Sequence, residues 1–216
     1  MSKSGRPSMA FNHKGPKVLL TEGSNDCRVI LALCQHHELP EKFGLRECGS
    51  DEMALSTLSS LLKRSEQEII GIVIDADNPN LTAKWQAVTD RLQKYGIAIP
   101  KVPQQSGTII PASNGRARVG IWLMPDNQLD GMLEDFCSQL ATPEALSFAE
   151  KCVNDAKDNN CTTFIETHKT KAVIHTFLAW QNEPGKPLGQ AITARTLNPD
   201  HELAKTFARW LTELFE

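Results

Sequence analysis

The chain has 216 residues, of which 40% are hydrophobic and 23% charged, with a formal net charge of −3. That length suits one domain with a good core and an appendage, and leaves two full domains small. No apolar run approaches the ~20 residues that span a bilayer, and this charge does not advertise nucleic-acid binding, although a local basic patch or a metal can work on an acidic protein.

Residues 1–16, which open Met1-Ser2-Lys3-Ser4-Gly5, are polar, lack the apolar stretch of a signal peptide and read as a flexible leader. Residues 18–21 form a short apolar strand ending at Glu22-Gly23. A helix follows, with Ser24 as N-cap, Asn25 and Asp26 in its first turn, and Val29, Ile30 and Leu33 at helical spacing. A weaker strand near residues 43–47 precedes a helix capped by Ser50 or Asp51. Residues 69–74 are apolar throughout, as in a strand buried on both faces, and run into Asp75-Ala76-Asp77. Asn80 then starts a helix carrying Trp85, Val88 and Leu92. Three strand–helix alternations predict an α/β fold, Rossmann-like, with a mainly parallel sheet and flanking helices. Residues 108–110 and 119–123 flank Asn114-Gly115, which predicts an inserted β-hairpin. After Asp126 a helix opens over residues 130–136. From Pro143 onward the pattern is helical, over 144–154, 163–181 and 200–215, with a Gly/Pro-rich loop at 183–189. The expected organisation is a leader (1–16), an α/β domain (17–140) and a helical C-terminal extension (141–216) packed on the same core.

The chemistry lies in the acids. Asp75 and Asp77 are spaced i, i+2, so an extended backbone points both the same way. Like charges this close repel unless a cation sits between them. Glu22, Asp75 with Asp77, and Asp126 each follow a strand. If those strands are parallel neighbours, the four acids gather at the carboxyl edge, where open α/β sheets bind ligands. Asp26 lies one helical turn after Glu22, and Asp130 and Glu134 share a helix face. Oxygen ligands of this kind hold one or two Mg²⁺ or Mn²⁺ ions. An acid at a strand end also serves as a cap, and acids in a first helical turn suit the macrodipole. Lys101, Arg116 and Arg118 can touch a nucleic-acid backbone by charge, or simply keep an edge strand soluble. The six histidines form no metal spacing and the six cysteines no pair for zinc, so reduced thiols in a cytoplasmic protein are expected. Trp180 and Trp210 read as core.

Val18-Leu19-Leu20-Thr21-Glu22-Gly23-Ser24-Asn25-Asp26, followed by Ile72-Val73-Ile74-Asp75-Ala76-Asp77, resembles the Toprim domain of topoisomerases, primases and the overcoming-lysogenization-defect (OLD) nucleases. Met124-Pro125-Asp126-Asn127, Gly131-Met132-Leu133-Glu134-Asp135 and the tail around Lys171-Ala172 resemble a small stand-alone Toprim-related group near the OLD branch. The core of the resemblance runs from Lys17 to Gln139. It implies that Glu22 binds metal or serves in acid–base chemistry, that Asp75 and Asp77 are paired metal ligands, and that Asp26 and Glu134 are ligands of a second metal. It also implies a lysine that neutralises charge in the transition state. Lys171 fits that role and Lys169 is the alternative, with Lys169 otherwise a contact to nucleic acid. OLD proteins carry an ATPase domain in the same chain. No GxxxxGK[ST] loop occurs here, so any ATPase would be a separate partner.

The expected function is therefore a Mg²⁺- or Mn²⁺-dependent nuclease acting on DNA or RNA, with a defence role following only by analogy and oligomeric state left open. Two alternatives remain: a catalytically silent Toprim binding or scaffold module, and an aspartate-nucleophile phosphatase using Asp75. Pro79 stands where that phosphatase family has Thr or Val.

Overall fold

The centre of the protein is the strand that the sequence makes most apolar. In the computed structural model, which describes residues 15–77, 80–113 and 115–216, β3 (Ile69–Asp75) is buried over its first six residues. Its β-branched side chains favour extended backbone and pack on both faces of a sheet. β1 (Lys17–Thr21) and β5 (Arg118–Met124) flank it in parallel. β2 (Gly44–Glu47) pairs parallel with β1, and β4 (Thr108–Ile110) pairs antiparallel with β5. The order is β2-β1-β3-β5-β4, so the fold is α/β with a mostly parallel sheet. The leader residues 1–14, Asn78-Pro79, and Asn114 of the expected hairpin turn lie outside the described residues.

Alternation along the strands splits the core in two. Val18, Leu20, Ile70, Ile72, Ile74, Ile121 and Leu123 face α2 (Asp51–Leu61) and α3 (Leu81–Gln93), in an almost wholly aliphatic layer. Leu19, Val73, Trp122 and Met124 face α1 (Ser24–His36), α4 (Leu133–Gln139) and the later helices. Those are α5 (Pro143–Asp158), α6 (Lys169–Ala179), α7 (Leu188–Thr193) and α8 (Glu202–Phe215). Phe136, Phe207, Trp122 and Trp210 cluster there. Gly71 and Gly120 are register partners in the middle of the sheet. A Cβ at Gly120 would lie 2.3 Å from Leu214, and one at Gly71 2.4 Å from Leu19 and 3.0 Å from Leu214. The paired glycines thus form a notch into which α8 presses Leu214.

Several local expectations shift. The helix read over 163–181 begins at Lys169, after a 3₁₀ turn at Glu166–His168. Part of the loop read at 183–189 is the start of α7, whose Gly189 lies so close to α1 that a Cβ there would meet the Arg28 carbonyl at 2.6 Å. The helix after Asp126 starts at Leu133 because Gly131, at φ +150, still turns the chain. Trp180 is 47% exposed and packs at a tilt against Phe148, whereas Trp210 is buried as read. No described helix is long and apolar enough to cross a membrane.

Candidate metal centre at the carboxyl edge of the sheet

Because β1 and β3 run in parallel register, the residues just past their ends emerge side by side. Glu22 reaches across, its Oε1 accepting the Asp75 N–H at 2.9 Å. Asp75 Oδ1 in turn accepts the N–H of Leu133, the first residue of α4, at 2.9 Å. These two bonds lock both carboxylates to backbone and need no flexible partner. Glu134 follows one residue later; it is buried and held by Lys171 Nζ at 3.1 Å. Glu22, Asp75, Asp77, Glu134 and Lys171 line one open pocket of about 270 Å³. Asp26 does not line the pocket but lies close enough to couple electrostatically with Glu22 and Glu134, and it is only 7% exposed. Its Oδ2 accepts the Gly23 N–H at 3.1 Å, while its Oδ1 is buried with no hydrogen-bond partner.

The electrostatics follow from crowding. Burial pushes Asp75 up to about 9, and the charges of Glu22, Asp26, Asp77 and Glu134 push the same way. Burial raises Asp26 to about 7, against the backbone N–H groups it accepts. Glu22 is raised by burial too, partly offset by the Asp75 N–H. Burial also raises Asp135, whose Oδ2 accepts the Met132 N–H at 2.9 Å. Asp75, raised by burial and by the acids around it, marks a place where positive charge would be favoured.

Among the described residues, no three Asp, Glu, His or Cys side chains already converge at metal-ligand spacing. The donors still suit a hard divalent cation: they are carboxylate oxygens, two of them anchored by backbone N–H groups, with one buried oxygen orphaned at Asp26. Glu22, Asp26, Asp75, Asp77 and Glu134 are the residues that can hold it.

Other residues singled out by the sequence lie elsewhere. Asp126 turns onto its own loop, where its Oδ1 accepts the N–H groups of Gln128 and Leu129 at 3.0 and 2.9 Å. It does not line the pocket. Asp130 caps α3, accepting the Leu81 N–H at 2.7 Å. Of the two lysines, Lys171 reaches the pocket, whereas Lys169 pairs with Glu150 at 3.4 Å on the surface. Arg118 opens β5 opposite Ile69, and Arg116 lies two residues before it. A seven-residue strand spans roughly 20 Å, so both arginines are at the far end of the sheet from the acids. Lys101 lines a neighbouring groove.

Five further residues join the acid pocket without having been singled out for it by the sequence: Lys84, Met132, Thr167, His168 and Asp51, the last expected only as a cap. Lys84 is 4% exposed and ion-paired with Asp51. Lys84 did leave a signal. It falls four residues before Val88, on the apolar stripe of α3, where a lysine has no place unless a charge awaits it. Asp51 follows β2, and that strand ends at the same edge as β1.

A family model described as "Protein of unknown function (DUF3226)" matches residues 16–216. No curated protein and no solved structure matches the chain.

Proposed function

We propose that this chain, which belongs to the DUF3226 family, is a Mg²⁺- or Mn²⁺-dependent phosphodiester hydrolase of the Toprim/OLD type that cuts nucleic acid. The observation that carries the proposal is the convergence of Glu22, Asp75, Asp77 and Glu134 with Lys171 in one pocket. These residues come from four separate stretches of the chain.

In this reading Glu22, Asp75 and Asp77 hold one cation, and Asp26 with Glu134 complete a second position. A cation bound there supplies an activated water and stabilises charge on the phosphate. The chain's own groups do the remainder. The backbone N–H groups of Asp75 and Leu133 fix the carboxylates before substrate arrives, which limits reorganisation during the reaction. Lys171, half-exposed at the mouth and resting on Glu134, moves its ammonium onto the phosphate as negative charge builds. Lys84, paired with Asp51 in the same pocket, offsets part of the charge of the five acids that line it and so lets a polyanion approach. Nucleic acid, DNA or RNA, is the substrate class, and an ATPase acting in trans is the partner that the OLD resemblance suggests.

Removing one ligand tests the reading. Asp77→Ala should lower Mn²⁺-dependent cleavage of a labelled oligonucleotide by about 10³-fold or more, a loss of ~4 kcal/mol in transition-state stabilisation, and should weaken Mn²⁺ binding in calorimetry. Cleavage by that variant at the wild-type rate would sink the proposal. A phosphatase using Asp75 as nucleophile is disfavoured, because Pro79 stands where that family has Thr or Val and Asp75 Oδ1 is already tied to the Leu133 N–H. A silent module would show no Mn²⁺ heat at all.

A further inference from the structure

A second concavity lies on the same edge of the sheet. α3 separates the two: Lys84 faces the acids, while Leu81, Thr82 and Trp85 line a groove of about 370 Å³. Its opposite wall is Lys101, Val102 and Pro103, and Asn127 with Gln128 close one end. The walls are pinned. Trp85 Nε1 donates to the Pro100 carbonyl at 3.2 Å, and Asn127 Oδ1 accepts the Leu123 N–H at 2.7 Å. Val102 nevertheless stays 69% exposed, and Leu129 beside Gln128 is 58% exposed. Large apolar side chains fixed open to solvent around a concavity mark a binding surface.

Charge separates the two sites. The acid pocket is lined by five carboxylates, whereas the groove is lined by one cation and no carboxylate. The two acids nearest to it, Asp126 and Asp130, each commit an oxygen to backbone N–H groups of the adjoining turns. The groove walls themselves carry no carboxylate to repel a polyanion whose phosphate is held at the acid pocket. What the groove offers is an apolar slot, a side-chain amide and a lysine. That matches a nucleobase, with its apolar faces and polar edge, next to a phosphate.

We infer that this groove is a nucleobase subsite, which takes a base further along the strand whose phosphate is held at the acid pocket, on the other side of α3. The base lies against Leu81, Val102 and Pro103, Gln128 meets its polar edge, and Lys101 pairs with the flanking phosphate. The inference rests on the nuclease reading for its substrate, but its test does not need turnover. The probe is a short fluorescein-labelled single-stranded oligonucleotide, followed by anisotropy in Ca²⁺, beside its abasic counterpart. The second substrate is bis(p-nitrophenyl) phosphate, a phosphodiester without a base. Both variants lie at exposed positions that leave the core intact. Val102→Asp and Lys101→Glu should each weaken oligonucleotide binding by about tenfold (~1.4 kcal/mol), and Val102→Asp should no longer distinguish the abasic strand. Hydrolysis of bis(p-nitrophenyl) phosphate should stay at the wild-type rate. Wild-type affinity in both variants, or equal wild-type affinity for the intact and abasic strands, would overturn the subsite. Loss of oligonucleotide binding in the variants, with no hydrolysis of either substrate by the wild type, would uphold the groove and remove the nuclease reading.

Discussion

Trp122 and Asp75 sit on adjacent strands only two register positions apart, since Val73 partners Trp122 and Asp75 partners Met124. Around Trp122, Phe207 lies edge-on at 5.0 Å and Trp210 at 5.6 Å between ring centroids. Around Asp75 stand Glu22, Asp77, Glu134 and the buried Asp26, whose charges add to burial in pushing its carboxyl up to about 9. The aromatic face gains from each contact it makes, while the acid edge holds together groups that repel. One sheet carries both because the first region stabilises what the second strains. The aromatic face has a flaw of its own, since the indole N–H groups of Trp122 and Trp210 are buried without partners. Ring packing outweighs that cost there, whereas at the acid edge only backbone N–H groups and the ammonium groups of Lys171 and Lys84 offset the repulsion.

Four changes would break or sharpen this contrast. The largest effect is expected from Phe207→Ala, which empties the space between Trp122, Phe136 and Trp210. A buried aromatic deleted in this way costs about 3–5 kcal/mol, readable as a shift in the urea midpoint; a loss below ~1 kcal/mol would mean that this face is not the stabilising one. Next comes Lys171→Met, expected to lower cleavage by about 10²-fold (~2.7 kcal/mol) with little change in thermal stability, whereas Lys169→Met should leave the rate alone. Equal losses from both would show that the ion pair with Glu134 has no special part.

The third change is pH on the metal-free protein. Asp26 and Asp75 both have folded values above the ordinary 3.8, at about 7 and about 9. Each therefore loses its proton more readily unfolded, and stability is full below pH ~4 and falls as pH rises through 7 towards 9. A carboxyl whose pKa rises by one on folding costs about 1.4 kcal/mol once it must ionise, or about 3–6 °C in Tm for a chain of this size. Scanning calorimetry in EDTA should show Tm falling from pH 5 to pH 8, and Mn²⁺ should flatten the slope. A Tm that rises over that range would contradict the crowding argument. The smallest effect is expected from Arg118→Ala at the far end of the sheet, which should change neither cleavage nor, beyond ~0.5 kcal/mol, stability.

Glu22, Asp75 and Asp77 could be read from the sequence because two simple periodicities locate them. Apolar runs mark the strands, and parallel pairing brings strand ends to one edge. Asp126 followed the same logic and went astray, since loop backbone N–H groups compete for a carboxylate and no periodicity reports where a turn points its donors. For Arg116 and Arg118 the sequence offered a charge but no position relative to the acids, and the structure puts them at the amino end of β5, a full strand length away. Lys84 was legible only as an anomaly in an apolar stripe, because its meaning depends on Asp51, 33 residues away. α7 is six residues long, too short for its own period to show through a Gly/Pro-rich stretch.

The glycine notch bears on the order in which the chain becomes a protein. β1, β3 and β5 are made early, yet the centre of one sheet face is closed only when Leu214 drops between Gly71 and Gly120 and Phe215 stacks on Phe43 at 3.9 Å. Until residues 202–215 have left the ribosome, the strands that carry the acids have an open apolar face. The acid-bearing strands are therefore braced on that face only once α8 has docked, so the edge that carries the acids depends on a helix distant from it in the chain.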